Sequence, residues 1–265
     1  MMTDTAMATE TTVKGRILWY ELVTTDMKAA EEFYSAIVGW TVMPFAESPQ
    51  PYDMFARSGD APVAGVMTIP EGMDFPPHWG MYVGVEKLED GQAQIERLKG
   101  SALSPVIEVP GVGRMRVMTD PQGAAFSIFE PDPDAPQAPE AEPELGDVSW
   151  HELMTTDAAA ALKFYSEMFG WRESQAMDMG PMGKYHIFAR KWDLGGIMNK
   201  PAELAQVPPH WGLYFRVADV DQSAEQVKAN GGQVLNGPMD VPDGGRIVNC
   251  VDPQGGHFSL HHKKA

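Results

Sequence analysis

The sequence predicts an α+β protein made of two similar halves that follow one another along the chain. The main evidence is that three motifs recur in the same order, which marks an internal duplication. In addition, the pattern of apolar residues in each half predicts short strands interrupted by two helices. The repeated motifs are Trp-Tyr-Glu-Leu-Val-Thr-Thr-Asp (19–26) with Trp-His-Glu-Leu-Met-Thr-Thr-Asp (150–157), Pro-Pro-His-Trp-Gly (76–80 and 208–212), and Asp-Pro-Gln-Gly (120–123 and 252–255).

A strand followed by a helix opens each half. We expect the two strands at 17–23 and 148–154. Asp26 and Asp157 are the expected helix N-caps, because a carboxylate accepts hydrogen bonds from the free N–H groups of a first helical turn. The residues that define these helices are Ala30, Phe33, Tyr34, Ile37 and the terminating Gly39 in the first copy, and Ala161, Phe164, Tyr165, Met168 and Gly170 in the second.

Short strands and a second strand–helix unit complete each half. In the first half, Leu88, Gln92, Ile95 and Leu98 share one side of a helix that is expected to run to Gly100. Each half is therefore predicted to contain two βαβββ modules, and the whole chain four. The other strands expected in the first half lie at 41–45, 52–57, 63–68, 78–85, 106–109, 113–119 and 124–129.

The length of 265 residues suits two domains that each bury a core. We place them at 13–130 and 147–265, after a disordered tail at 1–12. The intervening segment 131–146 is rich in proline and acidic residues and contains no Lys or Arg. Proline blocks regular structure and like charges extend a chain, so this segment is predicted to be a semi-rigid linker.

Composition narrows the classes of partner. The formal net charge of −17 argues against binding to nucleic acid or to an anionic membrane surface. No apolar run approaches the roughly 20 residues of a membrane-spanning helix, and the N-terminus has no apolar signal core. Cys250 is the only cysteine and is expected to be a buried strand residue. We therefore expect a cytoplasmic protein whose partner is a small molecule.

Four landmarks appear in order in both halves and resemble the vicinal oxygen chelate superfamily, which includes glyoxalase I, bleomycin-resistance proteins and extradiol dioxygenases. The closest similarity is to tandem glyoxalase-like bacterial proteins. The resemblance implies two tandem domains with curled mixed sheets, each enclosing a cup. The residues that carry it are Asp26, Phe33, Tyr34, Gly39, Asp120, Pro121 and Gly123, and Asp157, Phe164, Tyr165, Gly170, Asp252, Pro253 and Gly255.

The resemblance also implies where a divalent metal would be held. Its usual ligand positions are occupied by tryptophan, glycine and serine in both copies. An indole cannot bind a metal, glycine has no side chain, and a neutral hydroxyl is a poor ligand, so no metal cofactor is expected. The positions are Trp19, Gly80 and Ser127 in the first copy and Trp150, Gly212 and Ser259 in the second.

Glu21 and Glu152 are the candidate catalytic residues. Strand alternation places Glu21 on the same face as Trp19, so a cup lined by Trp19 also contains Glu21. A buried carboxylate of this kind is suited to act as a general base with a raised pKa. The alternative is a structural ion pair with Arg114 in the first copy and with Arg246 in the second.

Further residues are candidates for ligand binding because both copies keep them. Aromatic side chains suit the wall of a cup for a planar ligand. The histidines are candidate acid–base groups, although a turn-capping role is the simpler interpretation. If a displaced metal site exists, Glu21, His78, Glu152 and His210 would form it. The expected ligand-binding residues are Trp19, His78, Trp79, Arg114, Ser127, Trp150, His210, Trp211, Arg246 and Ser259.

Three functions are compatible with these features. The first is a protein that binds a small apolar or aromatic molecule in the cup and acts as a metal-independent lyase or isomerase. The second is a metal-dependent glyoxalase or dioxygenase with displaced ligands, and the third is a non-enzymatic sequestering protein. The chain is expected to be a monomer with an internal pseudo-twofold axis or a homodimer.

Overall fold

Each half of the chain forms one mixed sheet. The computed structural model describes residues 12–46, 48, 50–57, 61–136, 138–242 and 244–263. The predicted tail, apart from Thr12, lies outside the described residues. The elements of the first half are β1 (Ile17–Thr24), α1 (Met27–Val38), β2 (Thr41–Pro44), β3 (Tyr52–Arg57), β4 (Ala61–Thr68), β5 (His78–Gly84), α2 (Leu88–Arg97), β6 (Ser101–Ala102), β7 (Ile107–Val109), β8 (Gly113–Thr119) and β9 (Ala125–Pro131).

The second half repeats this order. Two short 3₁₀ turns, Gly180–Met182 and Ala202–Leu204, are added to its loops. Its elements are β10 (Val148–Thr155), α3 (Ala158–Phe169), β11 (Arg172–Asp178), β12 (Lys184–Ala189), β13 (Asp193–Asn199), β14 (His210–Arg216), α4 (Val220–Ala229), β15 (Gln233–Asp240), β16 (Arg246–Val251) and β17 (His257–His262).

The two sheets share one topology. The strand order is β2-β3-β4-β1-β5-β9-β8-β6 in the first sheet, where β7 also pairs with β8, and β11-β12-β13-β10-β14-β17-β16-β15 in the second. The modules of each half meet through their first strands, because β1 is antiparallel to β5 and β10 to β14. The predicted α+β class with two tandem halves of curled mixed sheet is confirmed.

The helix boundaries follow the predicted caps. The Asp26 carboxylate accepts a hydrogen bond from the Ala29 N–H at 3.0 Å, and Gly39 ends α1 with a φ of 84°, in the left-handed region that favours glycine. The corresponding Asp157 and Gly170 cap α3 in the same way. The largest boundary differences are that α2 ends at Arg97 instead of reaching Gly100, that β4 begins at Ala61 instead of 63, and that β9 continues to Pro131.

The hydrophobic cores are shared between the halves, which corrects the expectation that each half buries a core of its own. One core joins residues of α1, β3 and β4 to residues of α4, β16 and β17. The other joins α2, β8 and β9 to α3, β12 and β13. Each core therefore combines one module from each half, and both depend on the two halves staying together.

Reciprocal hydrogen bonds connect the halves inside these cores. The Tyr34 hydroxyl donates to Asp252 Oδ2 at 2.9 Å, and the equivalent Tyr165 hydroxyl donates to Asp120 Oδ2 at 3.1 Å. The other oxygen of each aspartate accepts backbone N–H groups of its own Asp-Pro-Gln-Gly turn. The repeated motifs thus interlock the two copies.

Two tryptophans and a ring pair complete this interface. Trp40 donates from Nε1 to the Gly146 carbonyl and Trp171 to the Gly15 carbonyl, each at 2.8 Å.

Tyr20 and His151 occupy equivalent positions in the two copies and contact each other, with 2.8 Å between Tyr20 Oη and His151 Nε2. A contact between equivalent residues places the internal pseudo-twofold axis between them. Burial lowers the pKa of His151 to about 4, so its ring is neutral at physiological pH.

The C-terminal part of the linker is held against the folded halves by ion pairs. Glu140 pairs with Arg190 and Lys191 of the second half. Arg57 of the first half pairs with Glu144 and Asp147. The acidic residues that were expected to extend the linker therefore fix its path.

Two further expectations can be compared with the structure. Cys250 is buried on β16, as predicted, and burial raises the pKa of its thiol to about 12. In the part of the chain that the structure describes, no helix is long and apolar enough to cross a membrane.

Replacing Tyr34 by Phe tests the interface between the halves. The substitution leaves a buried Asp252 oxygen and the Trp79 indole N–H, which donates to Tyr34 at 2.9 Å, without their partner. We expect the free energy of unfolding to fall by about 1–3 kcal/mol, measured by urea denaturation. Tyr165→Phe is the matched variant and should cost a similar amount. A loss below about 0.5 kcal/mol in both variants would show that these bonds do not hold the halves together.

Candidate functional site

The cup of each sheet is the face opposite the helices. On β1, Leu22 points into the core, whereas Trp19 and Glu21 point the other way. Trp19 is paired with Tyr82, which is paired with Ser127, so these side chains share the cup face. The predicted orientation of Trp19 and Glu21 agrees with this register.

Two tyrosines hold the carboxylate of Glu21. The Tyr82 hydroxyl donates to Glu21 Oε1 at 2.7 Å. The Tyr52 hydroxyl accepts the Trp19 indole N–H at 2.8 Å, and its interaction with Glu21 lowers the pKa of that carboxyl. The carboxylate is therefore partnered by phenols and not by Arg114.

The second half contains the same arrangement. Tyr185 donates to Glu152 Oε2 at 2.9 Å and Tyr214 donates to Glu152 Oε1 at 3.1 Å. The Trp150 indole donates to the Tyr185 hydroxyl at 2.8 Å. We call each set the Tyr–Glu–Tyr cluster: Tyr52, Glu21 and Tyr82 in the first cup, and Tyr185, Glu152 and Tyr214 in the second.

The direction of these hydrogen bonds follows from the indole. An indole N–H can only donate, so Tyr185 accepts from Trp150 and uses its own proton to donate to Glu152. Both carboxylate oxygens of Glu152 therefore accept phenol protons. This arrangement favours the ionised carboxylate, which is the form that can remove a proton from a ligand.

Burial of the two glutamates disfavours the ionised carboxylate and so opposes the effect of the hydrogen bonds. It raises the pKa of both glutamates above the ordinary value, while the hydrogen bonds from the tyrosines oppose that rise. Burial and the neighbouring carboxylate together raise the pKa of Tyr82 and Tyr214, so these hydroxyls keep their protons. A raised carboxyl pKa beside permanently protonated phenols is typical of a site that accepts and returns protons.

Glycine is required beneath one tyrosine of each cluster. A Cβ atom at Gly65 would lie 1.8 Å from the Tyr52 hydroxyl oxygen, and one at Gly196 would lie 2.0 Å from Tyr185 Cζ. These distances are far below van der Waals contact. The absence of a side chain at both positions lets each ring cross β4 or β13 and reach the glutamate.

The two cups differ in their walls. In the second cup, Asn249 donates to Ser259 Oγ at 2.8 Å and lies 3.4 Å from the Tyr214 hydroxyl. The strand register places Val117 at the equivalent position of the first cup, beside Ser127. An apolar cluster also lines the second cup: Tyr185, Ile187 and Met198, with Trp150, Met154, Met177 and Met179 packed against them.

The structure corrects four of the predicted ligand-binding residues. Trp79 and Trp211 belong to the shared cores, where they donate to Tyr34 and Tyr165, because their positions alternate with the cup face. Arg114 and Arg246 lie on the helix face of their sheets. Their partners there are acidic groups of the helices and strand ends, so neither arginine pairs with a cup glutamate: Glu89, Glu130, Asp221 and Asp240.

The two histidines of the Pro-Pro-His motif lie at the rim of the cups. His78 Nδ1 is 2.9 Å from the Pro76 carbonyl oxygen, and His210 Nδ1 is 2.8 Å from the Pro208 carbonyl oxygen. The turn-capping interpretation therefore applies to both. His78 is exposed, whereas His210 is only partly exposed and a protonated His210 lowers the pKa of Glu152.

The side chains present do not fit the superfamily's metal. Among the described residues, no group of three or more His, Cys, Asp or Glu side chains is placed to hold a metal ion. Trp19 and Trp150, at the first ligand position, are occupied as hydrogen-bond donors to tyrosines. Glu152 already accepts two phenol protons, and Glu21 accepts one from Tyr82. The predicted absence of a metal stays a prediction, but this donor set supplies no ready coordination site.

Sequence reasoning missed the tyrosines, Asn249 and the two glycines. Tyr82 and Tyr214 could have been found, because each follows the Pro-Pro-His-Trp-Gly motif at the same spacing in both copies. Tyr52 and Tyr185 come from poorly matched hairpins, and only the sheet register reveals that they reach the glutamates.

Two curled sheets of paired βαβββ modules define a glyoxalase-like protein. Residues 148–259 match the model of the Glyoxalase/Bleomycin resistance protein/Dioxygenase superfamily, and residues 20–129 match that of a glyoxalase-like domain. The chain belongs to this superfamily.

Similar proteins support this assignment over nearly the full length. "Putative glyoxylase CFP32" of Mycobacterium tuberculosis is 33% identical over 255 residues, covering 93% of this chain and 94% of the relative. "Anthracycline biosynthesis protein DnrV" of Streptomyces peucetius is 28% identical over 266 residues, covering 93% and 92%.

Solved structures share the fold at low sequence identity. The Mn(II)-bound glyoxalase from Novosphingobium aromaticivorans is 16% identical with a TM-score of 0.63, covering 94% of this chain and 82% of that protein. The 2,3-dioxygenase LapB from Pseudomonas sp. KL28 is 14% identical with a TM-score of 0.64, covering 96% and 94%.

The variant Gly196→Ala tests the geometry of the second cluster. The added methyl group would displace the Tyr185 ring and remove its hydrogen bond to Glu152. Since that bond lowers the pKa of Glu152, we expect the pKa to rise, measured from the carboxyl ¹³C shift. Gly212→Ala is the matched control, because a Cβ there meets only the Glu152 carbonyl oxygen, at 3.7 Å. An equal shift in both variants would contradict this geometry.

A second prediction concerns stability and pH. The pKa of Glu152 is raised by folding, so in the window above the ordinary glutamate pKa of about 4.3 the folded protein binds this proton more tightly than the unfolded chain. The contribution of Glu152 to the free energy of unfolding is therefore lost as the pH rises through that window. Relative to Glu152→Gln, the wild-type free energy of unfolding should decline with increasing pH. A difference that stays constant or moves the other way would refute the raised pKa.

Proposed function

We propose that the protein binds a small planar aromatic molecule in the second cup and that Glu152 transfers a proton from it without a metal ion. The observation that carries this proposal is the Tyr–Glu–Tyr cluster. It places a partly buried carboxylate, with both oxygens accepting phenol protons, beside the tryptophan of an otherwise apolar cup.

The wall of the second cup indicates the chemical class of the ligand. Methionine and aromatic side chains supply adaptable apolar contact, so the body of the ligand is apolar and flat. The polar groups of this wall are the cluster, Ser259 with Asn249, and the histidines at the rim. A ligand with a carbonyl or hydroxyl group along one edge satisfies both regions.

The cluster suits proton removal next to a carbonyl group. Glu152 accepts the proton and becomes a carboxylic acid, while the electrons of the broken C–H bond move into an enolate. The neutral acid accepts hydrogen bonds less strongly, so Tyr185 or Tyr214 can donate to the enolate oxygen instead. Return of the proton to another carbon isomerises the ligand, and loss of a leaving group makes the reaction a lyase reaction.

The names of two similar proteins are compatible with such a ligand. One is named an anthracycline biosynthesis protein and the other a glyoxylase. Anthracyclines are planar polycyclic molecules with carbonyl and hydroxyl groups along their edges. We therefore favour an aromatic ring system over a small aliphatic aldehyde as the ligand of this chain.

The bicyclic aromatic ketone 2-tetralone is a suitable probe. We expect it to quench tryptophan fluorescence on binding and to exchange its C–H protons next to the carbonyl for deuterium in D₂O, followed by NMR. Glu152→Gln should keep binding and slow exchange by about 10²-fold or more, the usual contribution of a general base. Trp150→Phe should weaken binding.

Control variants separate the interpretations. Trp192 lies in the turn between β12 and β13, so Trp192→Phe should leave binding unchanged. Binding of 2-tetralone without exchange in the wild-type protein would favour a sequestering function. Exchange that persists in Glu152→Gln at the wild-type rate would remove Glu152 as the base.

A further inference from the structure

The second cup has open space directly above Gly212. Glu152 is paired with Gly212, and Met154 with His210, so Glu152 and His210 are diagonal neighbours on the cup face of β10 and β14. Gly212 has no side chain, and a Cβ there would meet only the Glu152 carbonyl oxygen, at 3.7 Å. Nothing on the strand between the two side chains separates them.

His210 is oriented to accept a proton. Its Nδ1 is hydrogen-bonded to the Pro208 carbonyl, which can only accept, so the neutral ring carries its proton on Nδ1. Nε2 is then the basic nitrogen. Burial raises the pKa of Glu152, and the two tyrosines and, to a smaller extent, a positive charge on His210 oppose that rise.

His257 lies between the pair formed by Glu152 and His210 and the solvent. His257 is exposed and lies on β17 two residues before Ser259, so it has the parity of the cup face. The pKa of His257 is lowered, first by burial and then by a positive charge on His210, and the charge of Asp252 opposes this shift. The register places Glu152 and the exposed His257 on either side of Gly212, so His210 is a diagonal neighbour of both.

The first cup lacks this connection. Ala125 occupies the position equivalent to His257. His78 is exposed and its ring packs against Phe75 with 5.3 Å between centroids, where the second copy has Val207. The pKa of Glu21 is governed by burial and its two tyrosines.

We propose that the second cup contains a proton path from Glu152 through His210 to solvent at His257, and that the first cup retains its protons. The carboxylic acid proton of Glu152 moves to His210 Nε2, which leaves a carboxylate and an imidazolium. The imidazolium then releases its proton to water, assisted by His257. This path deepens the proposed function, because it returns Glu152 to its basic form.

Exchange of the tyrosine hydroxyl protons with solvent tests the path without any ligand. In a mixture of H₂O and D₂O, slow exchange splits the ¹³Cζ signal of a labelled tyrosine, and the splitting reports the rate. Each hydroxyl of a cluster exchanges its proton for the one that its protonated glutamate carries, one proton returning for each that leaves, so the phenol stays protonated throughout. We expect Tyr185 and Tyr214 to exchange at least about tenfold faster than Tyr52 and Tyr82.

Three variants complete the experiment. His210→Gln should slow exchange of Tyr185 and Tyr214 to the rates of the first cup, and His257→Ala, at an exposed position, should slow it several-fold. The matched control His78→Gln should change neither cup. Equal rates in the two wild-type cups, or unchanged second-cup rates in His210→Gln and His257→Ala, would overturn the proton path. Failure of 2-tetralone to react would affect only the proposed function, because the hydroxyl rates need no ligand.

Discussion

The reciprocal hydrogen bonds Tyr34–Asp252 and Tyr165–Asp120 are the constraint on which the rest of the structure depends. Each joins a helix of one half to a turn of the other, in cores that neither half completes alone. Because the helix faces of both sheets are used in this way, the opposite faces are left to form the cups. The duplication therefore builds the shared cores between the halves, and by using the helix faces for them it leaves the two cups to bind a ligand.

The cups then differ through a small number of side chains. Both contain a Tyr–Glu–Tyr cluster, but only the second combines it with Asn249, a partly exposed His210 and His257. A carboxylate buried in an apolar cup is costly unless hydrogen bonds compensate it. Two phenols supply those hydrogen bonds without neutralising the negative charge. An arginine would neutralise it, whereas the carboxylate beside two phenols keeps its capacity to take a proton.

The sequence predicted the architecture because the repeated motifs are local signals. Asp26 and Gly39 act as helix caps within their own segment, and alternation along β1 was enough to orient Glu21. The same alternation next to Gly80 also assigns Trp79 to the core face, whereas the pairing of Arg114 with Glu89 and Glu130 depends on which face of a strand meets a helix, which the sequence could not show. The partners of Glu152 come from separate strands, so only the register brings them together.

The proposed function requires that the second cup bind a flat carbonyl compound against Glu152 and its two tyrosines. A crystal structure of the protein with 2-tetralone is the test. We expect the ring above Gly212, with the carbonyl oxygen within hydrogen-bond distance of the Tyr185 or Tyr214 hydroxyl and an adjacent carbon facing Glu152. A ligand located outside the cup, or one whose carbonyl group points away from the cluster, would contradict it.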